Sequence, residues 1–79
     1  MKIIIAGAYA IGTHLARLLS RSNEEITLID EREERLASIG SDCDLLTMVG
    51  KPTSLKILRD AGADSADLFI AVTPIESTN

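Results

Sequence analysis

The feature that most constrains the fold is a recurrence of short, uninterrupted apolar runs. Four of them, Lys2–Ala6, Ile26–Ile29, Leu45–Val49 and Leu68–Val72, are separated by stretches with helical patterning. Each run is rich in Ile, Val or Leu and is continuous rather than alternating. A strand that shows one face to water alternates apolar and polar residues, whereas a strand covered on both faces does not. The chain therefore reads as a parallel sheet with helices on its faces.

The stretches between the runs supply those helices. The first is expected from Ala10 to about Arg21, with Ile11, Leu15, Leu18 and Leu19 at i, i+4, i+7 and i+8 forming one apolar stripe. The second is expected from about Glu31 to Ile39, with Leu36 and Ile39 inward and Glu31 to Arg35 as a solvated face. Its acidic first turn suits the positive end of the helix dipole, and Gly40 is placed to end it. The third opens at Thr53 or Ser54 after Pro52, buries Leu55 and Leu58, and closes at Gly62. Strands and helices alternating at this spacing are the pattern of right-handed βαβ units. The expectation is a single α/β unit over residues 1–79, a Rossmann-like, doubly wound parallel sheet with strand order 3-2-1-4. The first two helices should lie on one face and the third on the other.

Thr73-Pro74-Ile75-Glu76 reads as another helix start, with Thr73 as N-cap, Pro74 at the first helical position and Glu76 completing a capping box. The sequence stops at Asn79, soon after that start, so the chain is expected to be a piece of a longer protein, truncated before its fourth helix.

Composition narrows the function. A 79-residue chain with 46% apolar residues can bury a core, although a chain of this size covers only roughly 60–65% of its unfolded surface. Cys43 is the one cysteine, which fits a reducing, cytosolic compartment. One cysteine and one histidine, His14, cannot fill a tetrahedral metal site without carboxylates. The formal net charge of −4 and the presence of only Tyr9 and Phe69 as aromatics argue against nucleic acid, which needs cations and stacking platforms. Ile3–Ala6 is far too short to span a bilayer, so any membrane role must run through a partner.

The chemistry-bearing segment is Gly7-Ala8-Tyr9-Ala10-Ile11-Gly12, between the first strand and the first helix. A dinucleotide-binding fold places its G-x-G-x-x-G loop there: the first glycine for the tight turn, the second for close approach of a pyrophosphate, the third for helix–strand packing. Gly7 and Gly12 fill the first and third roles, and Tyr9 replaces the second glycine. Either Tyr9 blocks or fills the nucleotide pocket, or its ring swings aside and its hydroxyl contacts the ligand. Gly7 and Gly12 would alternatively be packing glycines alone.

Asp30 ends the second strand, 18 residues past Gly12, where an acidic residue accepts hydrogen bonds from the adenosine ribose. It would also serve as an N-cap for the second helix. A carboxylate there disfavours a 2′-phosphate and hence NADP, with Arg32 as a nearby counterweight. His14 and Cys43 read as structural, and no nucleophile–base pair or catalytic carboxylate pair stands out.

Four stretches together resemble the N-terminal nucleotide-binding domain of the TrkA family, also called the RCK or KTN domain: MKIIIAGAYAIGTHLARLL, ITLIDEREERL, the Gly50–Leu58 loop and helix start, and DAGADSADLFIAVTPIESTN. The last, with Ala-Asp before the fourth strand followed by Ala-Val-Thr-Pro and then Glu and Asn, is the most specific. The resemblance implies a cytoplasmic, non-enzymatic regulatory subunit that binds NAD(H) or an adenine nucleotide such as ATP or ADP. It would assemble as a homo-oligomer and gate an integral-membrane potassium transporter. It further implies that Gly7, Ala8, Ile11 and Gly12 form the phosphate loop, that Asp30 and Arg32 face the ribose, that Val49 and Gly50 line the adenine, and that Thr73 sits near the distal phosphates or second ribose. Three positions depart from the family pattern: Tyr9 in place of the middle glycine, Lys51 where an acidic residue is usual, and Ile75 where an acidic residue often follows Thr-Pro.

Two other readings stay open. The same fold serves as the cofactor half of NAD-dependent dehydrogenases, and fold alone does not decide between them. A nucleotide-independent assembly domain, with Tyr9 filling the vacant site, is the third. In each case the fourth strand is expected at a sheet edge, apolar and without charge or proline, which invites pairing with another chain.

Overall fold

A computed structural model describes residues 1–72. Four strands, β1 (Lys2–Ala6), β2 (Glu25–Asp30), β3 (Leu46–Val49) and β4 (Leu68–Ala71), alternate with helices α1 (Ala10–Ser20), α2 (Glu33–Gly40) and α3 (Leu55–Asp60), and a 3-10 turn (Ala63–Ser65) leads into β4. The strands form one parallel sheet in the order β3-β2-β1-β4. This is the Rossmann-like α/β arrangement expected from the sequence, including the strand order.

The two central strands account for the continuous apolar runs. Ile3, Ile5, Ile26 and Leu28 pack on the face covered by α1 and α2, while Ile4 and Ile29 pack on the opposite face with Ile57, Leu58 and Ala61. Each of these six strand residues is at most 1% exposed. Burying such a side chain is worth roughly 1.5–3 kcal/mol, so β1 and β2 hold most of the core. The edge strands differ: Leu46, Val49, Leu68 and Phe69 are all exposed on β3 and β4, and only Met48 and Ile70 lean on the core. An unbroken apolar run thus marks burial in the middle of this sheet and only half-burial at its edges.

The expected stripe on α1 is corrected. Gly12 and Ala16 are its buried positions, flanked by the partly buried Leu15 and Leu19, while Ile11 (51% exposed) and Leu18 face outward. The cause is the close approach of α1 to the turn beneath it: a Cβ at Gly12 would collide with the carbonyl oxygen of Gly7. Small residues let the helix axis come down onto the sheet and rotate Ile11 away from it.

Helix α2 begins two residues later than its composition suggests. The Asp30 carboxylate accepts the Arg32 backbone N–H at 2.7 Å and holds Arg32 extended, so Glu31 stays outside the helix. Leu36 and Ile39 point inward as expected, but Gly40 is the last helical residue rather than a left-handed cap, and Ser41 closes the helix in αR conformation. In α3, the Ser54 hydroxyl accepts the Ile57 N–H at 3.3 Å, the expected cap. Leu58 leans on the core as expected, whereas Leu55 is 73% exposed and Ile57 takes the inward role expected of it. Gly62, at φ +88°, ends the segment in the left-handed region.

Candidate functional site

A parallel sheet binds ligands beyond the carboxyl ends of its strands, where the strand order reverses direction. Here that point is β1, which has β2 on one side and β4 on the other. A cavity of about 320 Å³ opens there. Ala6 and Tyr9 form its floor near β1, and Ala71 and Val72 close it on the β4 side. Asp30, Glu31 and Arg32 form the opposite wall, with Lys51, Pro52 and Thr53 at the rim beyond β3.

The turn leaving β1 is shaped by its glycines. Gly7 sits at φ +117°, a region L side chains rarely adopt, and a Cβ there would strike the Val72 carbonyl oxygen. Its N–H donates to the Ile29 carbonyl at 2.8 Å, tying the turn to β2. Gly12 allows the helix–turn contact described above. Both glycines therefore occupy positions that suit the turn and packing roles assigned to them.

Asp30 is the electrostatic centre of the cleft. It is 2% exposed, yet it carries a charge because four donors converge on it. Oδ1 accepts the Arg32 backbone N–H (2.7 Å) and Nε (2.9 Å), and Oδ2 accepts Arg32 Nη2 (2.9 Å) and the Ala8 backbone N–H (2.8 Å). The Arg32 side chain is the main influence that lowers the Asp30 pKa to about 2; burial opposes it, and the Ala8 and Arg32 backbone N–H groups assist. The Arg32 guanidinium in turn lies over the Tyr9 ring, with Cζ 4.3 Å from the centroid. Tyr9, Arg32 and Asp30 thus form one stacked and hydrogen-bonded wall.

Helix α1 adds a second electrostatic feature. Its first N–H groups have no intrahelical acceptor. Tyr9 at the N-cap supplies no side-chain hydrogen bond, and the first turn holds no acidic residue. The positive end of the helix dipole is left for an anion.

Of the residues singled out from sequence, Tyr9, Asp30 and Arg32 line the cavity directly. Gly7, Ala8 and Gly12 are buried behind it and shape the turn. Ile11 lies on the outer side of α1, and Val49 is exposed at the end of β3. Gly50 packs against Ile57, and its N–H donates to the Asp30 backbone carbonyl at 3.0 Å. Thr73 and the helix start it opens lie outside the described residues. Glu31, Pro52 and Thr53, to which the sequence pattern assigns no site role, also line the cavity, as does Lys51, one of the three departures from the family pattern. Their signal was positional: each follows directly on the carboxyl end of β2 or β3. His14 is exposed and Cys43 packs at the core margin. Among the described residues no group of three potential metal ligands occurs, and no helix is long and apolar enough to cross a membrane.

Comparison with known proteins agrees with this geometry. Residues 3–79 match the TrkA-N domain. Over all 79 residues the chain is 46% identical to the Trk system potassium uptake protein TrkA of Haemophilus influenzae (strain ATCC 51907 / DSM 11121 / KW20 / Rd), covering 17% of that protein. It is 39% identical to the protein of the same name from Halomonas elongata, again covering 17% of it. It is 38% identical to the Trk system potassium uptake protein TrkA homolog of Archaeoglobus fulgidus, covering 18% of it. In each case all of this chain is aligned, and it spans less than a fifth of the relative's length. By both the domain match and these identities, the chain belongs to the TrkA-N domain family.

Proposed function

We propose that this chain is the ligand-sensing portion of a regulatory subunit in a Trk-type potassium-uptake system, and that its ligand is NAD(H) or an adenine nucleotide such as ATP or ADP. The observation that carries the reading is the junction of the Gly7 turn with Asp30. The Ala8 N–H donates to Asp30 at 2.8 Å, which supports reading the turn as a phosphate loop and the carboxylate as a ribose acceptor on one cleft. The adenosine ribose would meet Asp30 and Arg32, and the phosphates would lie towards the amino end of α1. Val49 and Gly50 would lie near the adenine.

Sensing needs no catalysis. A ligand that binds two arrangements of paired domains with different affinity shifts the balance between them, and an attached transporter follows. The partners are then further copies of this chain and an integral-membrane potassium transporter, and the working location is the cytoplasmic face of the membrane. The wall of the cleft holds one tightly paired carboxylate and a paired guanidinium, with no nucleophile–base pair among the described residues. The match to the TrkA-N domain and to relatives named as potassium uptake proteins supports sensing over the dehydrogenase reading.

Isothermal calorimetry of the chain with NADH, NAD, ATP and ADP tests the proposal. Saturable binding of at least one, with dissociation constants on the order of micromolar, is the expected result. No heat above dilution for all four would leave only an assembly role, with Tyr9 filling the site.

A further inference from the structure

We propose that Arg32 selects what the cleft accepts: its guanidinium occupies the carboxylate that would hold a ribose, so an adenine ligand enters effectively only if it brings a phosphate to which the guanidinium can pass. This rests on the nucleotide reading above and deepens it by naming Arg32 as the residue that sets selectivity for phosphorylated over free nucleosides.

The acceptor capacity of Asp30 is the starting point. An ionised carboxylate offers about four lone-pair sites, and all four are filled. A ribose diol donates two O–H groups and needs two of those sites. The Ala8 and Arg32 backbone N–H groups belong to the turn and the entry to α2, so giving them up would disturb the fold. The two bonds from Nε and Nη2 are the ones that can be exchanged, because only a side chain has to move.

Once released, Arg32 keeps a face on the Tyr9 ring and a long contact of 3.5 Å to the Ala8 carbonyl, neither of which replaces a carboxylate. A phosphate does replace it, because it accepts the same two-pronged guanidinium geometry. Entry of a nucleotide is then an exchange in which Asp30 passes from Arg32 to ribose and Arg32 passes from Asp30 to phosphate. A nucleoside offers the first half only. The Arg32–Tyr9 stack, with the side chain only 30% exposed, sets the guanidinium at the cleft wall where a short swing suffices.

The test compares adenosine with ADP by calorimetry for the wild-type chain, Arg32→Ala and Arg32→Lys, with circular dichroism to confirm folding. Wild type should bind ADP on the order of a hundredfold tighter than adenosine. Arg32→Ala should bind adenosine about tenfold tighter than wild type does, because Asp30 is then open to the ribose, while its ADP affinity does not rise. Arg32→Lys, which cannot pair bidentately, should fall between them and carries the test if the alanine variant does not fold. Unchanged or weaker adenosine binding in the folded variants, with ADP alone losing affinity, would make Arg32 a simple phosphate contact and overturn the proposal. Failure of wild type and both variants to bind either ligand would overturn the nucleotide reading itself.

Discussion

A carboxylate as deeply buried as Asp30 is tolerated because every lone pair is met by a donor, two of them from one guanidinium. The consequence for stability has a definite sign. The folded-state pKa is lowered to about 2 from 3.8, so the unfolded chain binds more protons between those values. The stabilisation is complete above the unfolded pKa and is lost as pH falls from about 4 through about 2, with a magnitude of up to about 2 kcal/mol. Asp30→Asn removes it: urea midpoints of wild type and variant should differ at pH 7 and converge as pH approaches 2. A difference that stays constant over that range would show that Asp30 is not the group responsible. Gly7→Ala is expected to be among the most damaging single changes, since it adds strain at φ +117° to a collision with Val72. A loss of at least about 1–3 kcal/mol in denaturant unfolding is the expected scale, and a wild-type midpoint would refute the geometry of the turn. Gly7, Gly12 and Asp30 were legible because their spacing is imposed by the fold. The pairing of Asp30 with Arg32, and of Arg32 with Tyr9, was not, because one-dimensional spacing does not say which way a side chain turns.

Helix α1 shows how a sequence pattern misleads by less than one residue's rotation about the helix axis. Two of its large residues, Ile11 and Leu18, face outward, while its smallest, Gly12 and Ala16, are the buried ones, flanked by Leu15 and Leu19. Periodicity weights size, whereas close packing of a helix on a strand selects the absence of it. Ala16→Leu should therefore cost about 1–3 kcal/mol by overpacking, while Leu18→Ser should stay within about 0.5 kcal/mol. The reverse ranking in thermal unfolding would restore the larger stripe. Of the two cap candidates for helix α3, Thr53 and Ser54, it is Ser54 that meets the Ile57 N–H. Ser54→Ala should cost about 1 kcal/mol, measurable as a shifted urea midpoint with unchanged slope. Its inward face was misassigned because Leu55, Ile57 and Leu58 are all apolar and six residues give too little periodicity to separate them.

The sheet as a unit was the most legible part, because parallel pairing, strand order and burial of β1 and β2 all follow from four apolar runs and their separations. The cleft was legible in place but not in its wall: Lys51, Pro52 and Thr53 reach it through a loop whose path the sequence pattern does not specify. Both outer strands carry exposed apolar side chains, Leu46 and Val49 on β3 and Leu68 and Phe69 on β4. An open apolar edge favours association, so sedimentation of the chain at tens of micromolar (roughly, where edge pairing becomes populated) should show a dimer or larger species, and a pure monomer would count against it. The most direct test of the cleft as a nucleotide site is an amide NMR titration of the chain with NADH and with ADP. Saturable shifts centred on Gly7, Ala8, Arg32 and Lys51 are expected, with the opposite end of the sheet around Glu24 and Asp44 unmoved. Shifts confined to that opposite end, or none from either ligand, would contradict the assignment.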